Sequence, residues 1–264
     1  MKLTSTANPR VKAAAKLRSS RERIAQRRFV INGAREIGRA VDAKIKIDEV
    51  FVCPELCTSD DSRRLLPRLQ KLDAAQFEVT SSVYDVLAYG SRDDGVLAVA
   101  EIPQRALGDL RLRKQPLVAV LEGIEKPGNV GAVLRSADGA GVSAVIVADG
   151  GVDLYNPNAI RASLGTIFTM PIAAATSAET LAWLRAQKLQ VFAARVDGSV
   201  NYTQCDLSGP CVIVLGNEAT GLTDVWQGTD ITAIALPMRG IADSLNISAA
   251  AAVLFYEALR QRSS

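Results

Sequence analysis

The sequence predicts an α/β protein of two domains, and three observations carry that reading. Short apolar strands alternate with helical stretches along the whole chain. The later strands are apolar at successive positions rather than at every second one, as in a parallel sheet covered on both faces. A charged stretch without period, PQRALGDLRLRKQ over 103–115, interrupts the alternation. Domains are therefore expected at 1–103 and 116–264, with 104–115 as the linker, a division that 264 residues accommodate.

In the first run, residues 8–27 read as one basic helix opened by Asn8-Pro9 at the cap and first-turn positions. Phe29–Ile31 is a strand, and Asn32-Gly33 leads into a helix through Val41. Strands follow at 47–53, 77–80 and 95–102, with helices at 61–71 and from Ser81 or Ser82 to Leu87. In the second run, strands are expected at 116–121, 143–148, 189–194, 211–215 and 231–236. Helices are expected at 129–140, 156–164, 178–187 and 244–260.

Composition excludes several chemistries. The chain has no histidine, so Ser-His-Asp and Cys-His nucleophiles and mixed Cys/His zinc sites cannot be built. Proton transfer must use carboxylates, Lys, Tyr, a substrate group or an unusual arginine. Cys53, Cys57, Cys205 and Cys211 match no common zinc spacing and read as reduced thiols of a cytoplasmic protein. No metal site is expected. No apolar run approaches a membrane span, and the first ten residues lack a signal-peptide core.

Charge is uneven. The net is +3, yet residues 1–40 hold eleven Lys or Arg against two Glu, a local net of +9 on an otherwise acidic chain. A basic arm of this kind points to a polyanion such as nucleic acid. Its candidate contacts are Arg10, Lys12, Arg18, Arg21, Arg23, Arg27, Arg28 and Arg35. A solvated helix face is the alternative.

Three polar, glycine-bearing loops follow apolar strands. The first, LEGIEKPGNVGAVLR over 121–135, places Asn129 as a helix cap and Arg135 almost two turns in, where a planar fork can hold a phosphate. It is neither a dinucleotide fingerprint nor a P-loop, since no GxGxxG follows the strand and Lys126 precedes the glycines. The second, VIVLGNEATGL over 212–222, ends a buried strand on a glycine that admits a flat ligand, with Glu218 able to receive a hydroxyl or an amine. The third runs from Leu236-Pro237-Met238 to Asp243-Ser244-Leu245-Asn246. There Ser244 is the expected cap of the last helix and Asn246 offers a bifunctional amide. Taken singly, each loop also reads as an ordinary turn or capped helix. Together they suggest one shared site.

The set NVGAVLRSADGAG, VLGNEATGL and LPMRGIADSLNISAAAA resembles the three motifs of the SpoU/TrmH branch of the SPOUT RNA methyltransferases. The first hundred residues are similar, more loosely, to that family's substrate-binding domain, which itself resembles small ribosomal proteins that grip RNA. The resemblance implies transfer of a methyl group from S-adenosylmethionine to a ribose 2′-hydroxyl of structured RNA. It also implies a homodimer and a deep trefoil knot, an exception to the rule against knots. By position, the cofactor would lie at Leu215, Gly216, Asn217, Leu236, Met238, Leu245 and Asn246. Asn129, Arg135, Glu218, Ser244 and Asn246 match the family's polar functional positions, and the family gives Arg135 the role of base. Because a guanidinium does not readily give up its proton, a grip on the phosphate beside the target ribose is the role expected of Arg135. The separate N-terminal domain favours ribosomal over transfer RNA by analogy. A non-catalytic RNA-binding assembly protein is the competing class.

Overall fold

The computed structural model describes residues 1–90 and 94–263. It divides into two compact units. The first is Met1–Gln104 with Asp153–Thr169, and the second is Arg105–Val152 with the chain from Met170 onward. Residues 153–169, within the span that the sequence assigns to the second domain, therefore pack with the first.

The first unit holds β1 (Lys2–Leu3), α1 (Pro9–Lys16), α2 (Ser20–Gln26), β2 (Arg28–Asn32), α3 (Ala34–Asp42), β3 (Ile47–Val52), α4 (Asp60–Leu69), β4 (Ala75–Val79), α5 (Ser81–Leu87) and β5 (Val96–Glu101). Its sheet runs β1-β4-β3-β5-β2. β5 lies antiparallel to both neighbours and the other pairs are parallel. As expected, Asn8 caps α1, accepting from the Arg10 N–H at 2.9 Å, with Pro9 in the first turn.

The single helix expected over 8–27 is broken between Lys16 and Ser20. The cause is Arg23, which is 1% exposed. Its Nη1 donates to the Leu17 and Arg18 carbonyls at 2.6 and 2.8 Å, satisfying groups that a continuous helix would have bonded itself. Its Nε donates to Asp153 Oδ2 at 2.6 Å.

That ion pair is one of several fastenings of the late segment, which carries α7 (Pro157–Ala162) and α8 (Thr166–Thr169). Phe29 on β2 lies 4.6 Å from the Tyr155 ring and 5.9 Å from that of Phe168, centroid to centroid. Arg39 donates to the Leu164 carbonyl at 2.6 Å. Arg23→Ala leaves Asp153 and two carbonyls without their donor. It is expected to destabilise the first unit by about 3 kcal/mol, read as faster amide exchange across 153–169.

The second unit holds β6 (Leu117–Glu122), α6 (Pro127–Gly139), β7 (Ala144–Ala148), β8 (Ile172–Ala175), α9 (Ser177–Ala186), β9 (Gln190–Ala194), β10 (Val200–Asn201), β11 (Cys211–Leu215), β12 (Ile231–Ala235) and α10 (Ile247–Arg262). The sheet order is β10-β12-β9-β11-β6-β7-β8, and every pairing is parallel. Val118, Val120, Ile146, Val191, Val212 and Val214 are buried in its core. β8 and β10 were not expected. The first is a four-residue run after Pro171 and the second only two residues, both too short to stand out from loop.

The last helix starts at Ile247 rather than Ser244, with Asn246 as its cap; Asn246 Oδ1 accepts from the Ser248 N–H at 3.0 Å. Its far end is fastened by Arg262, which donates to the carbonyls of Leu207, Gln115 and Gly209. α10 packs along α6.

Candidate active site

Because β6, β11, β9 and β12 are neighbours and parallel, their C-terminal ends open at one edge of the sheet, where open α/β sheets place ligands. All three loops singled out in the sequence leave from that edge.

Glu218 joins them. Its Oε1 accepts from Asn129 Nδ2 at 2.9 Å, from Asn246 Nδ2 and from the Ile247 N–H at 3.4 Å, and its Oε2 accepts from Lys126 Nζ at 3.1 Å. The hydrogen bond from Lys126 leads in holding this carboxyl below the usual glutamate value. The sequence anticipates Asn129 as a cap. In the structure Lys126 occupies the cap position, and Asn129 in the first turn spends its amide on Glu218. Ser244 likewise caps nothing; its hydroxyl donates to Asp243 Oδ1 at 3.1 Å.

The loop after β11 is held from within and from below. Asn217 and Gly221 exchange backbone hydrogen bonds at 3.1 and 2.9 Å, and Asn217 Nδ2 reaches the Gly123 carbonyl at 2.8 Å. A Cβ on Gly216 would lie 2.5 Å from the Gly221 backbone. The glycine is thus required by the loop's own closure, beyond the ligand approach that the sequence suggests. Underneath, the buried Glu122 accepts from Ser177 Oγ at 2.5 Å, Trp226 Nε1 at 2.7 Å, and the Thr223 N–H and hydroxyl at 2.8 and 2.7 Å.

Beside this network lies a cavity of about 430 Å³, within the range of small-molecule sites. Leu215, Gly216, Asn217, Leu236, Met238 and Leu245 line it, together with Glu218 and Ser244. Asn246, Asn129 and Arg135 do not. Arg135 is exposed on α6 and has no hydrogen bond or ion pair among the described residues, so its fork is free for an external anion.

Four lining residues, Ala194 at the end of β9 and Arg195–Asp197 after it, are not among the positions expected from the sequence. The signal was present: Arg195-Val196-Asp197-Gly198 is a fourth polar, glycine-bearing loop after an apolar strand.

The eight basic candidates separate into groups. Arg23 is buried and cannot meet RNA. Arg10 pairs with Glu49 at 2.9 Å and lies over the Phe77 ring; Arg28 pairs with Asp48 and Glu49 at 3.0 and 3.1 Å; Arg35 faces Asp61 at 3.8 Å. Arg18 donates to the Val86 and Ala88 carbonyls and has no carboxylate partner among the described residues. Lys12, Arg21 and Arg27 are exposed and have no partner among the described residues.

Comparison with known proteins decides the lineage. The SpoU rRNA methylase family model matches residues 116–256, more than half of the chain. The chain belongs to the SpoU rRNA methylase family. Residues 8–98 match an MRM3-like substrate-binding domain.

Among SpoU relatives, a 23S rRNA (uridine(2479)-2′-O)-methyltransferase of Streptomyces viridochromogenes is 33% identical over 173 residues, 63% of this chain and 60% of that protein. The 23S rRNA (guanosine(2553)-2′-O)-methyltransferase RlmP of Bacillus subtilis is 25% identical over 96% of this chain and 97% of its own. A crystal structure of an RNA 2′-O ribose methyltransferase covers all of both chains at 42% identity and TM-score 0.87. The SpoU methyltransferase AviRb from S. viridochromogenes, solved with AdoMet, covers 97% of this chain and 99% of its own at 27% identity and TM-score 0.87. These structures share the two-part α/β architecture with an all-parallel second sheet.

Proposed function

We propose that this SpoU protein is an S-adenosylmethionine-dependent RNA 2′-O-ribose methyltransferase acting on 23S ribosomal RNA. The observation that carries the reading is the convergence of three motif loops on Glu218 beside one cavity. The names of full-length relatives support ribosomal RNA as the substrate class, and AdoMet bound to a SpoU structure supports the cofactor.

The cavity suits that cofactor. Its lining carries Asp197, Glu218 and Asp243 against Arg195, a negative balance that favours a ligand with net positive charge. When bound, S-adenosylmethionine supplies an electrophilic methyl group with a good leaving group, so the chain's task is mainly positioning, worth about 7–11 kcal/mol in well-ordered systems. Glu218 fixes the Asn129 and Asn246 amides relative to the cavity. Arg135 holds the phosphate beside the target ribose, orients the 2′-hydroxyl and assists loss of its proton toward that phosphate. Arg135→Lys keeps the charge and loses the fork; single-turnover methyl transfer is expected to fall by about tenfold or more. Near-normal turnover would remove the bidentate role.

The unpaired Lys12, Arg21 and Arg27, with Arg18, form the RNA-gripping part of residues 1–103. Changing Lys12, Arg21 and Arg27 to Gln should make the salt dependence of RNA affinity shallower by about 2–3 logarithmic units per decade, with cofactor affinity unchanged. The working form is a cytoplasmic homodimer whose C-terminal segment is knotted. No helix among the described residues is long and apolar enough to cross a membrane. The decisive experiment maps 2′-O-methyl groups on large-subunit RNA incubated with S-adenosylmethionine, with and without the protein. A map without a protein-dependent site, in an RNA prepared unmethylated, would favour the assembly-factor reading.

A further inference from the structure

Arg195 and Asp197 leave the end of β9 on a tightly seated loop. The Arg195 N–H donates to the Ile234 carbonyl at 2.9 Å, and a Cβ on Gly198 would lie 2.5 Å from the Ile234 backbone. The two side chains form a bidentate pair: Nε to Oδ1 at 2.8 Å and Nη2 to Oδ2 at 2.9 Å. Both residues line the cavity, and among the described residues Arg195 is the one cationic side chain in the lining.

The other charges there are both carboxylates. Glu218 is taken by Lys126, Asn129, Asn246 and the Ile247 N–H, and Asp243 accepts from Ser244. S-adenosylmethionine carries one anionic group, its α-carboxylate, next to an α-ammonium. A cation beside an anion on a fixed loop is the complement of that zwitterion.

We propose that Arg195 and Asp197 form the docking pair for the amino-acid end of the cofactor. The inference rests on the reading of the cavity as the cofactor site. Arg195 donates to the α-carboxylate and Asp197 accepts from the α-ammonium. The pair need not open to do so. A guanidinium has five N–H donors, of which two are used here, and a carboxylate offers about four lone-pair positions, of which two are used. The hydrogen bond from Arg195 also keeps Asp197 below the usual aspartate value and hence anionic at neutral pH.

The test compares two ligands by calorimetry on the full-length protein. S-adenosylhomocysteine has the amino-acid end, and 5′-methylthioadenosine lacks it. Arg195→Ala and Asp197→Asn should each weaken S-adenosylhomocysteine by about tenfold or more and change 5′-methylthioadenosine by less than about twofold. Arg195→Lys should recover part of the loss. The proposal is overturned if S-adenosylhomocysteine binds both variants as tightly as the parent, or if both ligands weaken equally. Ala250→Met, which fills the cavity from α10, separates this from failure of the cavity reading. It should weaken both ligands, and unchanged binding of both would move the cofactor elsewhere.

Discussion

Glu218→Ala is expected to lower single-turnover methyl transfer by about 10²-fold while shifting thermal unfolding by only a few degrees. The side chain is 28% exposed, so its removal leaves no large buried void. What is lost is register. Asn129, Asn246 and the first N–H of α10 lose their common acceptor, and a displacement of about 1 Å at a reacting centre can cost 10²-fold in rate. Glu218→Gln separates charge from shape. Its amide oxygen can still receive the three donors at Oε1, but its NH₂ would face Lys126, so an intermediate loss is expected.

The pH behaviour follows from the sign of the shift. The folded value lies below the ordinary 4.5, so the carboxylate's contribution is fully present above that value. It is lost only as pH falls through the depressed folded value. A rate profile between about pH 6 and 9 should therefore show no transition from Glu218. Near-wild-type turnover of the Glu218→Ala variant would show that this common acceptor does not set the register of the site.

Glu122→Ala should do the opposite, with a large loss of stability and an activity loss that follows from it. Glu122 is 2% exposed and receives four hydrogen bonds, three of them on Oε1. Truncation leaves the Trp226 indole N–H and the Ser177 hydroxyl buried without their acceptor and opens a cavity, a cost of about 3–5 kcal/mol. The melting point should fall by about 10 °C. Glu122→Gln should cost about 2–3 kcal/mol, because its NH₂ would meet either the Thr223 N–H or the three donors at Oε1. Denaturant titration followed by tryptophan fluorescence measures both. A glutamine variant as stable as the parent would show the carboxylate charge to be dispensable.

The contrast between the two glutamates explains what was legible in the chain. The second sheet was readable because its strands are unbroken apolar runs; Cys211–Leu215 was expected and found at the same bounds. The three loops were readable because each pairs a strand end with glycine and polar residues. The exchange of roles between Ser244 and Asn246 was not, since both are good caps two residues apart and only the path from Leu236 decides between them. Arg23 looked like its basic neighbours. Nothing within residues 1–40 announces that Asp153 returns to meet it.

That return has a consequence for how the protein is made. The first unit is complete only when residue 169 has been added, long after residue 104. At synthesis rates of about 5–20 residues per second, this interval lasts about 3–13 s. Throughout it, Phe29 lacks Tyr155 and Phe168, and Arg23 lacks its carboxylate. The packing of this unit is therefore finished late in translation, after β6 and β7 of the second sheet have already been made.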